Sequence, residues 1–343
     1  MNPSPAGYDQ SSAASPDRPG IRGAEDPLDA AARSAHRVRP DDAMAEALRK
    51  ILWVQFRIML DHEAGSRSGE DMEDVHDMRV ATRRMRAAFR LFGTYFRPKA
   101  VRRLTKDLRR TGRTLGAVRD LDVFNKLAAG YLSTLSPEHG EDLAPLLAHW
   151  HDQREQAGEA LNAYLDGDRY RRFVAGFGAF VETEGSGVKA LKPDEPPRYQ
   201  VRHVLSSSIW RLYENVRCYE TVLAGAPTQT LHALRIECKH LRYTLEFFAD
   251  VLGSGNGRLV RDVIFVQDHL GDLQDAVVTG ALLTEFLAAR QDAGPSGDLE
   301  GLRAYLIHQQ RESARLVASF PQVWPRINGP DFRSRLAKAL LAL

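Results

Sequence analysis

The sequence predicts an all-α protein built from two similar helical bundles. Between clusters of proline, apolar residues recur at spacings of three and four, the pattern of helices that bury one face. No segment alternates apolar and polar residues as a half-buried strand does. A long motif also occurs twice, about 156 residues apart (232 − 76 = 156). Together these observations favour an internal duplication of one helical unit.

The length and composition are those of a packed globular protein, but they do not indicate what it binds. The chain has 343 residues, of which 43% are hydrophobic, enough for two modest cores of roughly 150 residues each. Its two cysteines, Cys218 and Cys238, form no CxxC pair, which is typical of a reduced, cytosolic protein without a disulfide. No apolar run approaches the roughly 20 residues of a membrane-spanning helix. The net charge is only +2, so a basic site requires local segregation of charge.

Composition also divides the chain into segments. Residues 1–38 are rich in proline, serine and glycine and are predicted to be disordered. The helical domain is predicted to span residues 39–343, with a first repeat over about 39–184 and a second over about 199–343. The tract between them, about 185–198, contains three prolines and is predicted to be a linker.

The duplication rests on a motif that aligns without a gap. Val75–Phe92 lies over Leu231–Phe248, and the matched pairs are His76/His232, Arg79/Arg235, Arg83/Lys239, Arg86/Arg242 and Phe92/Phe248. Further along, LGAVRD ending at Asp120 matches LGDLQD ending at Asp275, and HDQRE matches HQQRE. A register that persists across these blocks predicts two pseudo-symmetric bundles related by an approximate two-fold axis.

The first copy of the motif carries a row of cations along one side of a predicted helix. At about 100° per residue, five of its basic residues fall within an arc of roughly 80°, beside the apolar stripe that is buried. The candidate binding residues of this helix are His76, Arg79, Arg83, Arg84, Arg86 and Arg90. Those of the second copy are His232, Arg235, Lys239 and Arg242.

The next helix of the first half is predicted to add more positive charge. Arg102, Lys106, Arg109 and Arg113 share one face, and the last three are candidate binding residues. From residue 76 to 119 there are fourteen Lys or Arg and two acids, a local excess of twelve (14 − 2 = 12). Like charges at this spacing repel, and arginine is suited to gripping phosphate oxygens, so the pattern predicts a polyanion site. The alternative is that the arginines pair with acids elsewhere in the fold.

The histidines and aspartates of the motifs have two interpretations each. His76 and His232 are interpreted as phosphate-facing donors, with a structural hydrogen-bonding role as the alternative. Asp120 and Asp275 are interpreted as supporting acids that pair with a stripe arginine, with a catalytic carboxylate as the alternative. The glycine four residues before each aspartate is expected to mark a helix end or a close contact. The HDQRE and HQQRE blocks are expected to make interhelical hydrogen bonds.

The same segments resemble the CHAD domain, the conserved histidine α-helical domain. The resemblance lies in VHDMRVATRRMRAAFRLF, LGAVRDLDVF, LHALRIECKHLRYTLEFF and VQDHLGDLQDAVV, and it extends over about 300 residues. It implies two helical bundles around a central basic groove that binds inorganic polyphosphate, a cytoplasmic location on polyphosphate granules, and no catalytic activity. Some members adjoin a triphosphatase domain of the CYTH type, for which 38 preceding residues are too few. Lys239 and His240 replace Arg83 and Arg84, so the second half is less rich in arginine.

Two other classes of function use similar residues. Nucleic-acid binding would exploit the same charges, but single-strand binders interleave aromatic residues with basic ones, and this stripe does not. A metal-dependent phosphohydrolase would need a ligand cluster, yet His76-Asp77 is matched by His232-Ala233 and no HExxH motif occurs. The sequence therefore predicts a non-catalytic polyphosphate-binding protein without a cofactor or metal.

Overall fold

The protein is described by a computed structural model. It covers residues 35–135, 143–188, 199–292 and 299–343. Within these ranges the regular elements are helices, and the only extended pairing is an isolated bridge between Ala43 and Gln200, so the all-α prediction is confirmed. Most of the predicted disordered tail (1–38) and of the predicted linker (185–198) lies outside the described residues. None of the described helices combines the length and apolar character needed to cross a membrane.

Six α-helices of the first half lie wholly within the described residues. They are α1 (Met44–Asp61), α2 (Glu63–Ser68), α3 (Met72–Phe92), α4 (Pro98–Leu132), α5 (Ala144–Asp166) and α6 (Asp168–Glu182). Helix α3 carries the first copy of the basic motif. Its start is fixed by Asp71, whose carboxylate accepts a hydrogen bond from the backbone N–H of Glu73 at 2.8 Å. Helix α4 begins with Pro98 at its first turn, where a missing N–H costs nothing.

The second half repeats this order of long helices. Its helices are α7 (Val201–Arg217), α8 (Thr228–Phe247), α9 (Asn256–Asp292), α10 (Glu300–Val323), α11 (Pro325–Asn328) and α12 (Pro330–Leu340). Helix α3 has 21 residues and α8 has 20; α4 has 35 and α9 has 37; α5 has 23 and α10 has 24. The order and lengths agree with the predicted duplication.

Two contacts join matched positions of the halves. The rings of Phe92 and Phe248 meet edge to face at 5.5 Å. The bridge between Ala43 and Gln200 joins the residues that immediately precede α1 and α7. A contact between a residue and its own equivalent is what a two-fold axis produces. These contacts support the predicted pseudo-symmetry, which stays a prediction.

The hydrophobic cores are not divided between the halves. One large cluster of buried apolar residues runs through both, from Val38 to Leu340. A smaller cluster joins the C-terminal part of α4 to α9, α5 and α10, and includes Phe124, Trp150 and Tyr305. The expectation of a separate core for each repeat is therefore wrong, because α3 and α8 pack against each other. The two long helices are held by both clusters, which fixes the orientation of the side chains between them.

Candidate functional site

Helices α3 and α4 lie antiparallel, and two glycines of α4 let the arginines of α3 lie against its backbone. A Cβ at Gly112 would lie 3.3 Å from Nη1 of Arg86 and 3.4 Å from Cγ2 of Thr82, and one at Gly116 would lie 3.6 Å from Nε of Arg79. Gly116 lies in the middle of α4, so the close-contact interpretation fits it and the helix-end interpretation is wrong. A glycine inside a helix destabilises the helix by about 1 kcal/mol relative to alanine. The close approach of the arginine side chains accounts for glycine at these two positions.

Asp120 continues this line of contacts along α4. Its Oδ1 lies 3.3 Å from Nη2 of Arg79, which is itself only 4% exposed. Burial raises the pKa of Asp120, and the charges of Arg79, Arg119 and Arg83 act in the opposite direction. The carboxylate thus holds the Arg79 guanidinium in a fixed position, as a supporting acid would.

A second acid, Glu246 of α8, binds two arginines across the interface between the halves. Its Oε2 lies 2.5 Å from Nη1 of Arg84, and its Oε1 lies 3.2 Å from Nε of Arg242. The Arg84 guanidinium also lies 5.3 Å from the ring centroid of Tyr243. The motif of α3 has few acids in its own sequence, but Asp120 and Glu246 approach it in space. The alternative interpretation, that the arginines pair with acids elsewhere in the fold, therefore holds at these positions.

His232 has a defined partner on α9. Its Nδ1 lies 2.6 Å from Oε1 of Gln274, which assigns the N–H to Nδ1 because an amide oxygen only accepts. Burial lowers the pKa of His232, the hydrogen bond with Gln274 opposes this effect, and the charges of Arg235 and Lys239 lower the pKa further. The imidazole is therefore favoured in its neutral form.

The candidate residues divide into an accessible set and a buried set. Those that are exposed are Arg90, Lys106, Arg109 and Arg113. Those that are partly buried are Arg83, Arg86, His232 and Lys239. Those that are buried are His76, Arg79, Arg84, Arg235 and Arg242. Asp275 is buried as well. The structure thus keeps the predicted stripe together but presents only part of it to solvent.

The cations of α4 face the same side as the stripe of α3. The α4 row, as we call it, consists of Arg102, Lys106, Arg109 and Arg113. Asp120 lies on the side of α4 that faces α3, because its carboxylate contacts Arg79 of that helix. At about 100° per residue, the whole α4 row lies within about 40° of Asp120 around the helix axis. Each member of the row is exposed.

Together the two helices form a surface that we name the basic valley. It consists of Arg83, Arg86 and Arg90 of α3 and the α4 row. Within the described part of the chain, no carboxylate lies within 4.0 Å of a cation of the α4 row. In the same ranges, no group of three or more His, Cys, Asp or Glu side chains is placed to hold a metal ion. The valley can therefore offer many guanidinium donors to an extended anion.

A cleft of about 430 Å³ lies between α4, α9 and α10, beyond Asp120 towards the C-terminal end of α4. It is lined by Lys126 and Tyr131 of α4, by Asp272 and Asp275 of α9, and by neighbours that include Glu312 of α10. Burial raises the pKa of Asp272. Three acids against Lys126 and His308 make this cleft much less favourable to an anion than the basic valley.

The HDQRE block makes the expected kind of contact in the first half. Nε of Arg154 on α5 lies 3.1 Å from Oδ1 of Asp122 on α4, and Asp122 is buried. This pair joins two helices away from the basic valley. Its arrangement indicates a structural role for the block.

Comparison with known proteins identifies the family. The sequence matches the CHAD domain over residues 50–284. The crystal structure of the CHAD domain from the plant Ricinus communis is similar, with 25% identity, a TM-score of 0.61, and coverage of 90% of this chain and 94% of that one.

A second structure shares the fold. PptA from Streptomyces chartreusis has 17% identity, a TM-score of 0.62, and coverage of 82% of this chain and 99% of its own. A comparison with curated protein sequences found no match. The family match spans well over half of the chain, and the resemblance noted in the sequence is confirmed: this chain belongs to the CHAD domain family.

Proposed function

We propose that this CHAD domain binds inorganic polyphosphate without catalysing a reaction on it. The observation that carries the proposal is the basic valley, in which seven Arg or Lys side chains of α3 and α4 line one surface. Repulsion between neighbouring cations lowers the stability of the unbound protein by a few tenths of a kcal/mol for each like-charged pair. Phosphate oxygens remove that repulsion and accept paired hydrogen bonds from guanidinium groups.

The buried arginines have a supporting role in this proposal. Asp120 holds Arg79 in place, and Glu246 holds Arg84 and Arg242 in place. These ion pairs restrict the motion of the helices that carry the accessible cations. The main contacts to the ligand are then Arg83, Arg86 and the rest of the basic valley, joined from α8 by Lys239 and His232. The pairing of Asp120 with Arg79 favours a supporting acid over a catalytic carboxylate.

The shape of the site favours polyphosphate over nucleic acid. Phe89, Phe92, Phe247 and Phe248 of the motif helices are buried and offer no surface for stacking bases. Polyphosphate has no bases and needs only repeated donors, which helices supply every three or four residues. A protein with this activity would collect on polyphosphate granules in the cytoplasm. Competition between long-chain polyphosphate and single-stranded RNA at matched charge tests this choice.

Charge reversal tests the site. The triple variant Arg83→Glu/Arg86→Glu/Lys239→Glu removes three accessible cations, and we expect long-chain polyphosphate to bind at least about a hundredfold more weakly. Each lost charge-assisted hydrogen bond is worth about 1.5–3 kcal/mol. The dependence of affinity on salt should also become shallower, since fewer counterions are released.

The control changes the same net charge elsewhere on the surface. Arg171→Glu/Arg172→Glu/Arg303→Glu alters three exposed arginines outside the basic valley. We expect this variant to keep most of the affinity. Equal losses in the two triple variants, or unchanged retention of polyphosphate by the first, would show that the proposed site is wrong. Circular dichroism of both variants establishes that the helices are intact.

A further inference from the structure

The second half contains a valley built like the basic valley but with different charges. The register between α4 and α9 is fixed by their buried residues. Asp107 of α4 is bound by Arg169 of α6 at 2.8 Å, and the matching Asp262 of α9 is bound by Arg335 of α12 at 2.6 Å (262 − 107 = 155). Asp120 and Asp275 have the same offset (275 − 120 = 155). The two helices therefore superpose at 155 residues along this part of their length.

At this offset one residue of the α4 row, Lys106, has a counterpart of like charge. The four cations of the row correspond to Gly257, Arg261, Ile264 and Asp268. The formal charge of the row is +4, whereas that of the matching positions is zero (one Arg and one Asp). On the motif helices, Arg90 corresponds to Glu246, which is already bound to Arg84. The duplicated scaffold is thus basic along one of its two valleys.

The cleft between α4, α9 and α10 strengthens this asymmetry, because its carboxylates come from the second half. Asp272, Asp275 and Glu312, which belong to α9 and α10, line this cleft, whereas its α4 wall carries Lys126. A polyanion therefore meets attraction along α4 and repulsion along α9.

We propose that the bound polyanion follows a one-sided path, from the accessible cations of α8 across α3 and out along the α4 row. This inference rests on the proposed function and names its ligand more closely, as a long unbranched polyphosphate. The contact of Gly112 with the short side chain of Thr82 sets the antiparallel register near 194 (112 + 82 = 194), which places Arg102 level with Phe92 at the end of α3 (194 − 102 = 92). The α4 row spans about 16 Å, at 1.5 Å per residue.

A path of this kind discriminates by length. A short chain held beside Arg83 and Arg86 does not extend to Arg102 at the far end of the row. A longer chain binds the α4 row as a second, tethered contact, and such contacts raise affinity through a high effective concentration. The α4 row is therefore the determinant of chain-length preference.

The test compares matched double variants over a graded series of chain lengths that begins with tripolyphosphate. Arg102→Glu/Lys106→Glu reverses two cations at the far end of the α4 row. Arg258→Glu/Arg261→Glu makes the same change on two exposed residues of α9. Affinity for each chain length is measured by competition with a fluorescent long-chain polyphosphate.

For the unchanged protein, we expect affinity to rise with length until the α4 row is spanned. The α4 variant should lose at least about tenfold for long chains and much less for tripolyphosphate, because its curve levels off early. The α9 variant should follow the unchanged protein. Equal losses in the two variants, or a loss in the α4 variant that is the same at every length, would overturn the one-sided path. Absence of binding at any length by the unchanged protein would instead contradict the proposed function.

Discussion

The valley between α3 and α4 and its counterpart between α8 and α9 agree in their buried residues and differ in their exposed ones. Gly116 and Gly271 occupy matching positions, as do the acids Asp107 and Asp262 with their arginine partners. At the exposed positions of α4, by contrast, Arg102 is matched by Gly257 and Arg113 by the half-buried Asp268. Packing constrains the buried positions in both halves alike. The exposed positions carry no such constraint, so their charges are the better guide to function.

A similar contrast exists among the arginines themselves. Arg84 and Arg242 are fixed by Glu246 inside the interface, whereas Arg109 and Arg113 stand exposed on α4. The first kind contributes to stability and the second kind is available to a ligand. Variants of each kind should therefore change different measurements.

The largest expected effect is the loss of Glu246. In Glu246→Ala, Arg84 and Arg242 lose their shared carboxylate while they remain buried, so we expect the free energy of unfolding to fall by about 3–5 kcal/mol. Urea denaturation followed by circular dichroism measures this change. Glu312→Ala is the control, because its partner Arg315 is exposed.

An exposed pair of this kind is worth at most about 1 kcal/mol, so the control should change little. If Glu246→Ala cost no more than the control, the buried arginines would not depend on Glu246. The distinction between the buried set and the accessible set would then fail.

The next effect concerns the glycines beneath the arginines. In Gly112→Leu the new side chain meets Arg86 and Thr82, so we expect a loss of about 1–3 kcal/mol in the free energy of unfolding. Polyphosphate affinity should fall as well, because Arg86 is displaced. Thermal unfolding and the competition assay measure the two effects.

Gly130 supplies the control within the same helix. A Cβ at Gly130 would meet no atom within 4 Å, so Gly130→Ala should stabilise the protein by up to about 1 kcal/mol through helix propensity alone. A Gly112→Leu variant as stable as Gly130→Ala would show that α3 and α4 are not closely packed at this point.

The elements of the fold were predictable because they depend on local patterns. The spacing of apolar residues in the motif requires an amphipathic helix, and α3 and α8 are helices with buried apolar stripes. The shared core was not predictable from periodicity, since it depends on how α3 and α8 pack. The smaller cluster around Trp150 and Tyr305 likewise brings together residues from both halves.

The candidate site shows the same division. The cations of α3 and α4 share a side of their helices, which their spacing alone indicates. Glu246 was missed as a partner of Arg84 because the two residues are 162 positions apart. Gly112 was missed too, although two glycines four residues apart inside a basic helix are a signal of close contact. Burial separates Arg79 from Arg83, and no spacing rule gives that separation.

The smallest expected effect is a dependence on pH that involves His232. The pKa of His232 is lowered by burial and by Arg235 and Lys239, so the imidazole is neutral at pH 7. Phosphate beside these cations would neutralise their effect and raise the pKa of His232. Binding would then take up a proton, and affinity should rise as the pH falls below 7, by at most about tenfold per pH unit.

Stability should change in the opposite direction. In the unfolded chain His232 has its ordinary pKa of about 6.5, and in the folded chain its pKa is lower. The unfolded state therefore binds more protons just below pH 6.5, and the contribution of His232 to stability is present above that pH and lost as the pH falls towards the folded-state pKa. His232→Gln should remove both trends, since glutamine does not titrate. If polyphosphate affinity kept its full pH dependence in this variant, the proton would be taken up elsewhere and His232 would not face the ligand.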